Sequence, residues 1–247
     1  MAGMPNALDR AVARRHLRHR DRERDSGARP DPAQPAGTDC LPQIQHIVVL
    51  MMENHSFDNY FGALGHGEGL VCEPDGAFGP ANERLDGGVV RPFHFPSTIQ
   101  SRQVPSQSWH ASHIQFGEGR NDGFPRSVER TVPGADPRVA MGYWTEDDLP
   151  FYSDLARQFA LADHWHCSLL GPTFPNRRFL IAGTANGLID DVLAGVIDYP
   201  RTGTVFDLLD QHGITWANYH HTGPSGTVAK RALGSAGLRR YIEGIRN

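Results

Sequence analysis

The sequence predicts an α/β fold, a parallel sheet with helices on both faces, from three observations. A short run is apolar at every position, later segments repeat apolar residues at helical spacing between proline and glycine, and strand, helix and strand follow in an order that calls for right-handed crossovers. The run is Ile47-Val48-Val49-Leu50-Met51-Met52. It is too short for a helix of usual length and apolar on both faces, as a central strand of a covered sheet is. It stops abruptly at Glu53-Asn54-His55-Ser56.

The remaining elements follow in order. Residues 63–140 are rich in Gly, Pro, Asn and Ser with little periodicity, which predicts a long loop excursion carrying short helices. Residues 146–160 read as a helix, because Leu149, Tyr152, Leu155, Ala156 and Phe159 recur every three or four residues behind the acidic Glu146, Asp147 and Asp148. A short strand is expected over 160–163. The next helix is expected to open near Pro175 and run to Gly183, since proline suits a first helical turn. Residues 204–211 form a further helix closed by Gly213, and 214–219 the next strand of the sheet.

Composition narrows the function classes. The 24 basic and 28 acidic side chains of the 247 residues leave a formal charge of −4, so no nucleic-acid-binding excess is present. No apolar stretch approaches the roughly 20 residues that span a bilayer, which predicts no integral membrane segment. Cys40, Cys72 and Cys167 lie too far apart for a zinc-knuckle spacing. The 27 glycines and 18 prolines exceed the roughly 12% of an average chain and point to long loops.

Residues 1–42 differ from the body, and they are expected to be a disordered basic and proline-rich tail. Eight arginines fall between Arg10 and Arg29, interrupted by Asp21, Glu23 and Asp25. The acids favour a solvated tail over a basic arm for nucleic acid. Arg14-Arg15 is followed by His16-Leu17-Arg18 instead of an apolar region, so no export signal is read and the chain as encoded reads as cytoplasmic.

The chemistry is expected where strands end, because the ligand site of an open α/β sheet lies beyond their carboxyl ends. Glu53 and Asn54 sit at such an end and are hard oxygen donors suited to a divalent cation; as a solvated loop acid and a turn former they would do nothing more. In Gly171-Pro172-Thr173-Phe174-Pro175-Asn176-Arg177, Thr173 lies two residues before the proline expected to open a helix. Its hydroxyl therefore falls near free backbone N–H groups that favour negative charge. Two readings stay open: Thr173 only caps the helix, or it is a metal-activated nucleophile.

Residues 47–62, ending in Glu53-Asn54-His55-Ser56-Phe57-Asp58-Asn59-Tyr60-Phe61-Gly62, closely resemble the opening motif of the bacterial phosphoesterase family of phospholipases C and acid phosphatases. Ser108-Trp109-His110-Ala111-Ser112-His113, Gly119-Arg120-Asn121-Asp122-Gly123-Phe124, Met141-Gly142-Tyr143-Trp144, Asp148-Leu149-Pro150-Phe151-Tyr152, the Thr173 segment and Gly203-Thr204-Val205-Phe206-Asp207 follow in the family's order. The resemblance covers about residues 44–222. It implies an alkaline-phosphatase-like fold and metal-assisted phosphoester hydrolysis, on a phospholipid or a smaller phosphomonoester. Glu53, Asn54 and Thr173 are implied metal ligands, the cation's identity open, with Thr173 the nucleophile and His113 a catalytic residue near the phosphate. Asn54 and Asn176 are the expected substrate contacts, and His220 and His221, at the expected strand end on the same sheet edge, read as acid or phosphate contacts, His221 as a substrate contact, or as exposed loop histidines. Gln107 stands where the family's segment has its first histidine.

The family's second half supplies a further Asp-Glu pair and an Asp-His, and no such carboxylate pair follows His221. Residues 43–247 therefore read as the N-terminal part of a phosphoesterase domain, with an incomplete sheet. The alternative is a truncated, catalytically silent fragment or pseudoenzyme. The fragment reading expects an uncovered sheet edge that favours association, and little or no turnover by this chain alone.

Overall fold

The computed structural model describes residues 31, 33–35, 38–52, 54–99, 104–192 and 203–217. Most of the expected tail, Glu53, residues 218–219 of the expected last strand, and His220 and His221 lie outside the described residues. The chain divides into two compact units: one is Met52–Asn176 with Ile189–Asp191, and the other is Met1–Met51, Arg177–Leu188 and Val192–Asn247.

The first unit is mixed helix and strand. Helix α1 (Phe57–Phe61) opens on Ser56, whose hydroxyl accepts from the Asn59 N–H at 3.2 Å. Residues expected to be loop then form β1 (Val71–Cys72) antiparallel to β2 (Phe78–Gly79), and β3 (Asn82–Glu83) antiparallel to β4 (Val89–Val90). Both hairpins turn on a glycine with positive φ, Gly76 at 81° and Gly87 at 82°, a conformation costly for residues with a Cβ. Strand β5 (Phe93–His94) pairs in parallel with β6 (Gly142–Tyr143), in the register Phe93↔Gly142 and His94↔Tyr143.

Two helices of the expected excursion make the core. Helix α2 (Trp109–Phe116) and helix α3 (Phe124–Thr131) meet across Ala111 and Val128, both fully buried. Ser127, equally buried, bridges them: its hydroxyl donates to the Ala111 carbonyl and accepts from Gln115 Nε2, both at 3.1 Å. A second cluster gathers Trp144, Tyr60, His55 and Phe95 with ring centroids 4.8 to 5.6 Å apart. The Trp144 N–H binds the Asn59 carbonyl at 2.9 Å and so ties β6 to α1.

Helix α4 covers Pro150–Gln158, shorter than expected. The reason is local. A residue before proline is pushed out of the helical region, and Leu149 has φ −127° and ψ 57°. Helix α5 (Thr173–Ala182) opens two residues before Pro175 and closes at Gly183, φ 67°.

In the second unit, residues Ile181, Ala185 and Leu188 are buried, and Arg178, 1% exposed, donates Nη1 to the Ala185 carbonyl at 2.9 Å. Helix α6 (Val205–Gln211) is capped by Thr204, whose N–H and hydroxyl both donate to Asp207 Oδ2. Gly213, φ 67°, follows its end as expected.

Three expected strands are corrected, and the first, over 160–163, is irregular chain entering a turn. Residues 214–217 hold no strand; Trp216 stacks on Phe206 of α6, centroids 4.5 Å apart, and donates Nε1 to Asp210 at 3.0 Å. Residues 47–52 form no strand and have no strand partner among the described residues, with Ile47 84% and Val48 88% exposed. A segment apolar on both faces is buried only between two neighbours, and among the described residues none pairs with it. The broad parallel sheet is correspondingly not among the described residues, where the parallel pairing is that of β5 with β6.

Candidate active site

A cleft of about 370 Å³ opens in the first unit, bounded by Asn54, Gln107, Ser108, Pro172, Asp190 and Asp191, with Val104 and Pro105 as its apolar side. Four segments meet there: the entry to α1, the segment before α2, the turn before α5 and the loop of Asp190 and Asp191. Asn54 has φ 74°, the left-handed region that asparagine tolerates better than other residues with a Cβ. Its Oδ1 accepts from Gln107 Nε2 at 3.1 Å. Gln107 thus holds the amide expected to face metal and phosphate.

Thr173 is the first residue of α5, half-buried and directly after the cleft residue Pro172. Among the described residues its hydroxyl has no hydrogen-bond partner. Capping is done by others. The Asp191 carboxylate accepts from the Phe174 N–H at 2.7 Å, and Asn176 folds back on the preceding turn. Asn176 Oδ1 accepts from the Leu169 N–H at 3.1 Å, while Nδ2 faces the Leu169, Gly171 and Pro172 carbonyls, each at 3.0 Å. The Asn176 side chain is therefore engaged with backbone and sets the path of the chain into Thr173.

His113 lies on α2, exposed, and does not line the cleft. Its ring stacks on Trp109 with centroids 4.1 Å apart, and Nδ1 lies 2.7 Å from the Trp109 carbonyl. A carbonyl only accepts, so Nδ1 carries the hydrogen and Nε2 is left as the acceptor. The structure thus brings Asn54 and the start of α5 to one cleft and leaves His113 outside it, while Glu53 and His221 fall outside the described residues.

Asp190 and Asp191 were not singled out by the sequence. Their signal was present: a carboxylate pair between Ile189 and Val192 is the signature sought after His221, but it sits in a loop and not at a strand end. Asp190 accepts from the Trp109 N–H, the first of α2, at 3.4 Å.

Hard cations take about six oxygen donors. Asn54 Oδ1 has a second lone pair beside the one facing Gln107, so it suits such an ion. Among the described residues, however, no group of three or more His, Cys, Asp or Glu side chains is placed to hold a metal, and those residues alone do not make a cation site.

The phosphoesterase family model matches residues 44–244. The chain belongs to the phosphoesterase family. Within that family it is 31% identical over 220 residues to phospholipase C A of Mycobacterium tuberculosis, covering 81% of this chain and 41% of that protein. It is 33% identical over 198 residues to the non-hemolytic phospholipase C of Pseudomonas aeruginosa, covering 72% of this chain and 27% of that one. With non-specific phospholipase C5 of Arabidopsis thaliana the identity is 30% over 206 residues, 76% of this phosphoesterase chain and 39% of the plant protein. The chain thus spans less than half the length of these relatives. No helix among its described residues is long and apolar enough to cross a membrane.

Proposed function

We propose that this chain is the nucleophile-bearing part of a phosphoester hydrolase of the phospholipase C type, acting on a phospholipid phosphodiester through Thr173. The supporting observation is the Thr173 hydroxyl, placed at the N-terminus of α5 beside the cleft, with no hydrogen-bond partner among the described residues. A threonine that only capped would spend its oxygen on an N–H of the first turn, and among the described residues the Thr173 oxygen accepts none.

In this reading Thr173 Oγ attacks phosphorus in line, an Oγ–P bond forms and the bond to the leaving alcohol breaks. Water then cleaves the phosphothreonine. Asn54 and His221 contact the phosphoryl oxygens, Asn176 acts through the turn it holds, and His113 presents Nε2 for proton transfer. A divalent cation at Glu53, Asn54 and Thr173 would supply positive charge to the developing alkoxide. The alkaline-phosphatase-like sheet belongs to the same proposal.

The second reading, a catalytically silent fragment, is supported by the absence of a three-ligand group among the described residues. Hydrolysis of a chromogenic phosphodiester by the purified chain, with and without added divalent cation, separates the two. Cation-dependent turnover that Thr173→Ala and Glu53→Gln abolish establishes the hydrolase reading for this chain. No turnover establishes the silent one, and turnover that survives Thr173→Ala refutes the nucleophile.

A further inference from the structure

We infer that His55 is a positioning residue for Asn54: by gripping Asn59 it keeps Asn54 in the left-handed conformation that turns its amide to Gln107 and the cleft. The catalytic meaning of this rests on Asn54 contacting metal and phosphate as proposed above. Asn54 has φ 74°, a region that costs a residue with a Cβ free energy and persists where the surroundings enforce it. Its hydrogen bond among the described residues is the one from Gln107, and both side chains are exposed. Water competes for such a bond, so by itself it holds the turn weakly. The enforcement has to come from the chain next to Asn54.

His55, the following residue, is half-buried and clamped. Its Nδ1 lies 2.5 Å from Asn59 Oδ1, and its ring packs on Tyr60 and the buried Trp144 with centroids 4.8 and 5.3 Å apart. Asn59 is itself fixed. Its N–H donates to Ser56 Oγ at 3.2 Å, its carbonyl accepts from the Trp144 N–H at 2.9 Å, and Nδ2 donates to the Gly142 carbonyl at 2.8 Å. That last bond orients the carboxamide: a carbonyl only accepts, so the nitrogen faces Gly142 and the oxygen faces His55. Nδ1 of His55 therefore carries the hydrogen. All four polar groups of Asn59 are engaged, and through them residue 55 is tied to β6, directly beside the left-handed Asn54.

Three variants separate this grip from general stability. In His55→Asn the carboxamide Nδ2 sits as far along the side chain as Nδ1 did and keeps a donor for Asn59. His55→Phe keeps a ring beside Tyr60 and Trp144 but leaves Asn59 Oδ1 without that donor, and His55→Ala removes both. NMR on the isotope-labelled full chain reads the one-bond Cα–Hα coupling of Asn54, which reports the sign of φ. It also reads the NOE between the Gln107 carboxamide hydrogens and Asn54, and the amide exchange of Val128 as a control for the core.

Wild type is expected to show the coupling of positive φ at Asn54 and the Gln107 NOE. In His55→Phe and His55→Ala the ratio of left-handed to extended Asn54 falls about fivefold, as loss of one net hydrogen bond implies, and the NOE weakens with it. His55→Asn restores both. Unchanged coupling and NOE in His55→Phe overturn the inference, and this variant keeps the packing, so it decides even where His55→Ala does not fold. An asparagine variant that behaves like the phenylalanine one also overturns it. So does Val128 exchange that rises in step with the change at Asn54, since the effect is then global loosening. If turnover survives Thr173→Ala, the proposed function falls while the Asn54 coupling still decides what His55 does.

Discussion

Replacing Asn176 by alanine tests how the turn before Thr173 is held. The side chain faces four backbone groups, the Leu169 N–H at 3.1 Å and the Leu169, Gly171 and Pro172 carbonyls at 3.0 Å. An amide has two hydrogens, so three carbonyls share two donors, and the whole set amounts to about three hydrogen bonds. At roughly 1 kcal/mol net for each, the gross loss is about 3 kcal/mol. Alanine is the better helix former by about 0.6 kcal/mol, which leaves a destabilisation of roughly 2 kcal/mol. Asn176→Asp sharpens the test: it keeps the acceptor for Leu169 but turns a charged oxygen toward three carbonyl oxygens, so it should cost at least as much as alanine. Urea unfolding followed by tryptophan fluorescence and by far-UV circular dichroism measures both variants, with midpoints compared at constant slope. A loss under about 0.5 kcal/mol for alanine, or an aspartate variant as stable as wild type, would refute the reasoning.

Two further predictions concern the frame around the site. Ser127→Ala removes a fully buried hydroxyl that serves both α2 and α3, leaving the Ala111 carbonyl short of a donor, and should cost about 1–3 kcal/mol in the same urea assay; a neutral result would mean that solvent reaches the interface. Asp148 is held at about 2 instead of 3.8, first by the Thr145 N–H, then by His94 Nε2 and the Thr145 hydroxyl. Because its folded value is depressed, its contribution is fully present above about pH 4 and lost as pH falls toward 2. The thermal midpoints of wild type and Asp148→Asn should therefore differ above pH 4 and converge between pH 4 and 2; a gap that stays constant would show that Asp148 titrates normally.

Helices α4, α5 and α6 were legible because proline and glycine punctuate them, whereas α1, α2 and α3 were not placed. Pro150 and Pro175 lie within the first turns of α4 and α5, and Gly183 and Gly213 follow α5 and α6. The hairpins were not legible, since two-residue strands show no alternation, although the turn dipeptides Asp75-Gly76 and Asp86-Gly87 were there to read. Of the site, Asn54 and Thr173 stood out because each sits where an apolar or helical segment begins or ends. Asp190 and Asp191 did not, because an aspartate in a loop carries no pattern until its N–H partners are known. Gln107 read as the loss of a histidine, and only the contact with Asn54 shows what the glutamine does.

The exposure of residues 47–52 and the placing of Asn54 have one physical origin. An apolar run reports that burial would be favourable, not that a neighbour is present to provide it, and among the described residues these side chains remain in water. A strand end would have fixed Asn54 from the N-terminal side. Here it is fixed from the other direction, by Gln107 across 53 positions of sequence and by the α1 cap at Ser56 two residues on. The same holds for the rest of the cleft, whose ties span 17 residues from Asp191 to Phe174 and 81 from Asp190 to Trp109. Single side-chain bonds between loops and helix starts, not a ladder, set this geometry. Each is a single contact with few local substitutes, so the cleft should be more sensitive to one lost carboxamide or carboxylate than a sheet edge is to one lost ladder bond.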